Sequence, residues 1–188
     1  HLGVQRIFHG VAVQPGKPLW FGRSDRTLVF GLPGNPASVM VAFRLFVRPA
    51  LERILGRDAR FWSDARSIEL VTALGAGRGR DRFVPAVVEG EGSAARARPL
   101  PVAGSHDLVA FARAELLLRV RAGDPARPAG ADVEAIERER EGRIEDLSAA
   151  GVPARWFVAD RPESPRMVAY WWSTTGLATT DPGAFRRQ

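Results

Sequence analysis

The spacing of apolar positions along this chain changes twice, and each change predicts a different kind of element. From Val4 to Val13, "VQRIFHGVAV" is mostly apolar and β-branched, which predicts a strand, and "QPGKP" then breaks it sharply. A second short apolar run, "RTLVFGL", has the character of a buried strand. After the turn "GLPGNPAS" (residues 31–38), Val39, Ala42, Phe43, Phe46, Val47, Ala50, Leu51, Ile54 and Leu55 recur at spacings of three and four. That is one apolar face of a helix. Arg44, Arg48 and Arg53 fall largely off this face, Pro49 predicts a kink or division near Arg48, and Gly56 is a stop signal.

Residues 57–65 are polar apart from Phe61 and Trp62 and predict a boundary. Beyond them the helical period gives way to short runs: "RSIELVTAL", "DRFVPAVVE", "AARARPL", "ELLLRV" and "DVEAI", separated by glycine- and proline-rich breaks. Such a series predicts a small barrel or sandwich, with a turn of helix within "GSHDLVAFAR" and a hairpin connection at "GAGRGR". From Glu137 the pattern is lost, although Trp156, Tyr170, Trp171 and Trp172 argue against a fully disordered tail. The expected organisation is α/β over 1–57, with a parallel sheet and helices. A linker at 58–65, an all-β barrel over 66–136 and an unassigned tail at 137–188 follow. Two strands and a helix are too little to cover both faces of a parallel sheet, so the first segment is expected to leave its helix face and strand edges exposed.

Composition narrows the function classes. The chain has 188 residues, 45% hydrophobic and 26% charged, and no apolar run approaches the ~20 residues of a membrane span. It begins at His1 rather than Met, in what reads as the middle of an element, so a piece of a longer protein is expected. There is no cysteine, which excludes disulfides and thiolate chemistry and fits a cytoplasmic setting. The net charge of +6 comes from 27 basic residues, only one of them lysine, Lys17. Because the arginines are spread along the chain rather than clustered, a nucleic-acid surface is not expected. His9 and His106 have no partners at metal-ligand spacing.

The two proline-rich turns carry the candidate chemistry. Asn35 is a preferred N-cap residue and Pro36 suits the first helical position, so Ala37 and Ser38 would present unpaired N–H groups at the positive end of the helix. "QPGKP" offers the Lys17 ammonium from a stiff base, and if both strands lie in one parallel sheet, both turns emerge where such sheets bind ligands. A point charge with three donors suits a tetrahedral oxyanion. Val11 and Pro18 rule out a P-loop.

"FHGVAVQPGKPLWFG" followed by "LVFGLPGNPASVMVAFRLFVRPALERILG" closely resembles the molybdopterin-binding domain of the molybdopterin molybdenumtransferases, the MoeA and gephyrin family. "GRDRF" and "GSHDLVAFARAELL" are similar to patterns of that family's last domain, and the resemblance covers about residues 1–136. It implies insertion of molybdate into adenylated molybdopterin with release of AMP, aided by magnesium or a similar divalent ion, in a homodimer. It also implies a molybdate pocket of Gln14, Lys17, Pro18, Ser38, Arg80 and Ser105, shaped by Pro33, Asn35 and Pro36, with Lys17 and Ser38 closest to the chemistry. The residues that hold the metal are not identified. Three positions depart from the family pattern: Gln14 stands for a lysine, Pro85 for a basic residue and Glu115 for an asparagine. A non-catalytic scaffold of the same fold is the alternative reading.

Overall fold

The computed structural model describes residues 3–25, 27–54, 56, 64–104 and 107–137, together with the backbone of 154–159 and 167–173. Two sheets, a bent helix between them and a short helix at Leu108–Arg113 are the main elements of these residues. In the first sheet, β1 (Gln5–His9), β3 (Trp20–Ser24) and β4 (Thr27–Leu32) lie side by side. β10 (Ala154–Ala159) and β11 (Met167–Ser173) extend it beyond β4, in the order β1-β3-β4-β11-β10.

Every pairing in this sheet is antiparallel, in place of the expected parallel arrangement. The reason is a strand that the apolar pattern did not reveal. "WFGRS" alternates poorly, yet Gly22 lets it run closely beside β1, and a turn at Asp25 with φ of 41° folds it directly onto β4. Since β3 is antiparallel to both neighbours, β1 and β4 still run in the same direction. The chain therefore leaves both strands at the same end of the sheet.

The second sheet closes on itself. β6 (Asp81–Glu89), β7 (Arg96–Pro99), β5 (Arg66–Leu70), β9 (Asp132–Glu137) and β8 (Leu116–Val120) follow one another, and β8 pairs back to β6. The result is a five-stranded barrel, antiparallel except between β5 and β7. Its interior is filled by Ile68, Leu70, Leu74, Ala86, Ala97, Leu116, Leu118, Val120, Val133 and Ala135, the inward half of each alternating strand. Because β7 lies between β5 and β6, residues 75–80 cross to a non-neighbouring strand and form no hairpin. The short strand β2 (Val13–Gln14) leaves the first sheet and pairs in parallel with the start of β6.

The helix runs as α1 (Pro36–Ala42), a π-helical turn at Phe43–Val47, and α2 (Arg48–Ile54). Pro49 has no N–H, and its ring would press on the carbonyl four residues back. The widened turn, in which the Arg48 N–H donates to the Phe43 carbonyl, relieves that crowding immediately before the proline. Two faces of this helix are buried, not one. Ala37, Val41 and Leu45 pack with Phe83, Phe111, Leu117 and Ile136 of the barrel side, while Ala42, Val47 and Leu51 pack with Phe30 and Leu32 of the first sheet and with Leu19 just before β3. The helix is thus the layer between sheet and barrel, and the exposed face expected for it is covered. Among the described residues no helix is long and apolar enough to cross a membrane.

Candidate functional site

The two proline-rich turns meet. "QPGKP" is pinned by hydrogen bonds from the Gly10 N–H to the Leu19 carbonyl (2.7 Å) and from the Val11 N–H to the Lys17 carbonyl (2.9 Å). Pro15 and Gly16 are buried, whereas Lys17 and Pro18 face solvent. Gly16 adopts φ of +122°, and a Cβ placed on it would stand 3.3 Å from Val13 Cγ2 and 3.8 Å from the Ser38 carbonyl oxygen. Only glycine combines that backbone with so close an approach. The base of the Lys17 turn therefore rests on the first turn of α1.

On the helix side, Asn35 occupies the N-cap position with extended backbone (φ −75°, ψ 127°), and Pro36 is at the first helical position. The Asn35 carbonyl accepts the first helical hydrogen bond, from the Val39 N–H at 2.9 Å, but its side chain makes no capping bond. The sequence expectation of a side-chain cap is corrected on this point. Pro33 and Ser38 are buried and Asn35 and Pro36 exposed, so the helix start is open on one side and held on the other.

Next to these turns lies a cleft of about 490 Å³ at the open end of the barrel, whose lining includes Gln14, Pro15, Thr72, Arg82, Gly104 and Phe111. Gln14 is placed there by β2, whose parallel pairing sets Val13 beside Asp81 and Gln14 beside Arg82. The Asp81 N–H donates to the Ala12 carbonyl at 3.0 Å and secures the junction. Asp81 itself accepts from Arg119 Nε (2.9 Å), from Arg119 Nη2 (2.7 Å) and from the Ala122 N–H (3.0 Å). Burial pushes the Asp81 carboxyl up, but the Ala122 bond and the Arg119 and Arg121 guanidiniums outweigh that and hold it below the ordinary aspartate value.

The remaining candidates divide. Arg80 is exposed in the approach to β6, where its N–H donates to the Arg78 carbonyl, and it does not line the cleft. Ser105 lies outside the described residues, between Gly104 on the cleft wall and Asp107, whose Oδ1 caps α3 (Leu108–Arg113) by accepting from the Ala110 N–H. Glu115 Oε2 accepts from the Val88 N–H on β6 at 2.8 Å, and Glu115 does not line the cleft. Pro85, buried in β6, borders the cleft. Arg82 was not singled out from the sequence, where it reads as one more arginine in "GRGRDR".

Comparison with known proteins decides the family. A model described as a probable molybdopterin binding domain matches residues 2–53, and one described as the MoeA C-terminal region (domain IV) matches residues 68–137. The chain belongs to the MoeA family. It is 38% identical over 82 residues to molybdopterin molybdenumtransferase 2 of Mycobacterium tuberculosis, covering 44% of this chain and 20% of that protein. Against molybdopterin molybdenumtransferase of Synechocystis it is 32% identical over 124 residues, 63% of this chain and 28% of that one. Among solved structures it resembles the MoeA molybdopterin biosynthesis protein of Pyrococcus horikoshii, with a TM-score of 0.61, 29% identity, and coverage of 73% of this chain and 33% of that one. The chain thus spans between a fifth and a third of the length of these MoeA relatives.

Proposed function

We propose that this chain contributes the oxyanion-holding part of a molybdopterin molybdenumtransferase, which inserts molybdate into adenylated molybdopterin with release of AMP. The observation that supports the reading is the contact between the Lys17 turn and the Ser38 helix start, across Gly16. Lys17 supplies a flexible ammonium whose charge no carboxylate among the described residues neutralises. Ser38 and the first N–H groups of α1 supply donors from a fixed direction. Gln14 lines the adjoining cleft and offers a side-chain amide there, while Pro18, Pro33 and Pro36 stiffen the walls. Together they hold and orient a tetrahedral dianion for attack, so the chain's contribution is positioning and electrostatics.

The rest of the reading belongs to the same proposal: the division into 1–57 and 66–136 across a linker at 58–65, a homodimer, a cytoplasmic location, and roles for Arg80 and Ser105. Magnesium is the expected divalent ion of the reaction. Among the described residues no group of three His, Cys, Asp or Glu side chains fits a metal, and the chemistry assigned to these residues runs through none. The relatives are named as transferases, and nothing among the described residues favours the scaffold alternative.

Isothermal titration of molybdate into the full-length protein tests the reading. Lys17→Ala should weaken binding by about tenfold or more, the effect of one lost charge-assisted hydrogen bond. Equal binding by both proteins would remove Lys17 from the site.

A further inference from the structure

The mouth of the barrel carries a cation that the reading above does not use. Arg82 is the second residue of β6 and shares its strand face with Ala86, which belongs to the barrel's interior cluster, and with Val84 and Val88, which are partly buried against it. Its side chain therefore stands where the interior opens, and it lines the cleft of about 490 Å³ together with Gln14, Thr72, Gly75 and Phe111. Parallel pairing of β2 with β6 sets Gln14 directly beside it. Gln14 and Pro15, which begin the Lys17 turn, line the same cleft, so that turn borders it although Lys17 itself is not part of the lining.

The hydrogen bonding of Arg82 is incomplete. Nη2 donates to the Gly75 carbonyl at 2.7 Å, whereas Nε is buried and has no acceptor among the described residues. Three other strand-borne arginines of the barrel have carboxylate partners: Arg96 faces Glu69, Arg98 faces Glu89, and Arg119 faces Asp81 and Glu134. The nearest carboxylate in sequence, Asp81, points to the opposite strand face and is committed to Arg119 and the Ala122 N–H. Arg82 meets no carboxylate among the described residues. A guanidinium in a cleft with a buried donor unsatisfied is under-bonded, and an anionic acceptor completes it.

We propose that Arg82 is an oxyanion-binding residue, whose guanidinium and the neighbouring Gln14 amide grip a tetrahedral oxyanion at the barrel mouth. The proposal deepens the function above and rests on it only for the identity of the anion: molybdate itself, or a phosphate group of the pterin or nucleotide substrate. A planar fork beside a neutral amide offers several donors to one such group without the mutual repulsion of two adjacent cations.

The test is titration of molybdate and, separately, of inorganic phosphate into the full-length protein and into Arg82→Gln, Lys17→Ala and Thr72→Glu variants. Arg82→Gln should raise the Kd of at least one probe by roughly tenfold to a hundredfold, and the probe affected names the source of the oxyanion. Thr72→Glu changes an exposed residue on the same cleft and adds a carboxylate that competes there with a bound oxyanion, so it should produce a comparable loss even if Arg82→Gln does not fold. Unchanged binding of both probes by a folded Arg82→Gln protein, or by Thr72→Glu, would overturn the assignment. If Lys17→Ala weakens molybdate while a folded Arg82→Gln protein binds both probes as wild type does, this inference fails and the proposed function stands. If wild-type protein ignores molybdate yet binds phosphate through Arg82, the function fails and the inference stands.

Discussion

Arg44, on the π-helical turn, donates through Nε to the backbone carbonyl of Glu137, 2.8 Å away and 93 residues further along the chain. Its Nη2 pairs with Asp64, and the residue is only 5% exposed. The helix is thereby tied both to the last barrel strand and to the residues leading into the first. Arg44→Ala would leave a carbonyl and a carboxylate without this partner, and a loss of about 2–4 kcal/mol is expected. Urea unfolding measures it, and a change below about 0.5 kcal/mol would mean that the contact contributes little.

Phe83 is 1% exposed and packs in one cluster with Val41 and Leu45 of the helix and Phe111 and Leu117 of the barrel side. A core shared in this way predicts that helix and barrel unfold together. Phe83→Ala should cost about 3–5 kcal/mol and lower a single calorimetric transition. Two separate transitions, only one of them shifted by the substitution, would contradict the shared core.

Gly16 tolerates no side chain for two reasons, its φ of +122° and the 3.3 Å distance to Val13 Cγ2. Gly16→Ala is expected to destabilise by about 1–3 kcal/mol and to weaken molybdate binding by displacing the Lys17 turn from α1. Wild-type affinity in the alanine variant would show that the position of this turn is immaterial to binding.

Asp81 gives a pH dependence with a definite sign. Its folded value lies below the ordinary 3.8, so its contribution to stability is complete above that pH and is lost as pH falls through the lower folded value. Asp81→Asn should therefore cost about 1–3 kcal/mol at neutral pH, with the gap between wild type and variant closing as the solution is acidified below about pH 4. Denaturant melts across that range check it, and a gap independent of pH would refute the role of the charge.

Local chemistry was readable where it acts over a few residues. The glycine and proline breaks set off "DRFVPAVVE" and "ELLLRV", which became β6 and β8, and Asn35-Pro36 marked where α1 begins. Pro49 marked the irregularity in the helix, but its form as a π-helical turn depends on what the helix packs against. The single-face reading of the helix failed because Ala37, Val41 and Leu45 bury against barrel residues far away in sequence. Strand β3 escaped notice because its pairing on both sides, rather than alternation, holds it.

The sequence by itself determined which stretches are stiff turns, which bury, and that one lysine stands among arginines, since all of these follow from backbone restrictions and side-chain chemistry at each position. Only the tertiary structure decided that the Lys17 turn rests on Ser38, that Glu115 is occupied by β6, and that Arg82 rather than Arg80 lines the cleft. Those outcomes depend on strand register and on closure of the barrel. Alternation along β6 sends Asp81 to Arg119 and Arg82 to the barrel mouth, and no local pattern says which of two nearby arginines will line the cleft.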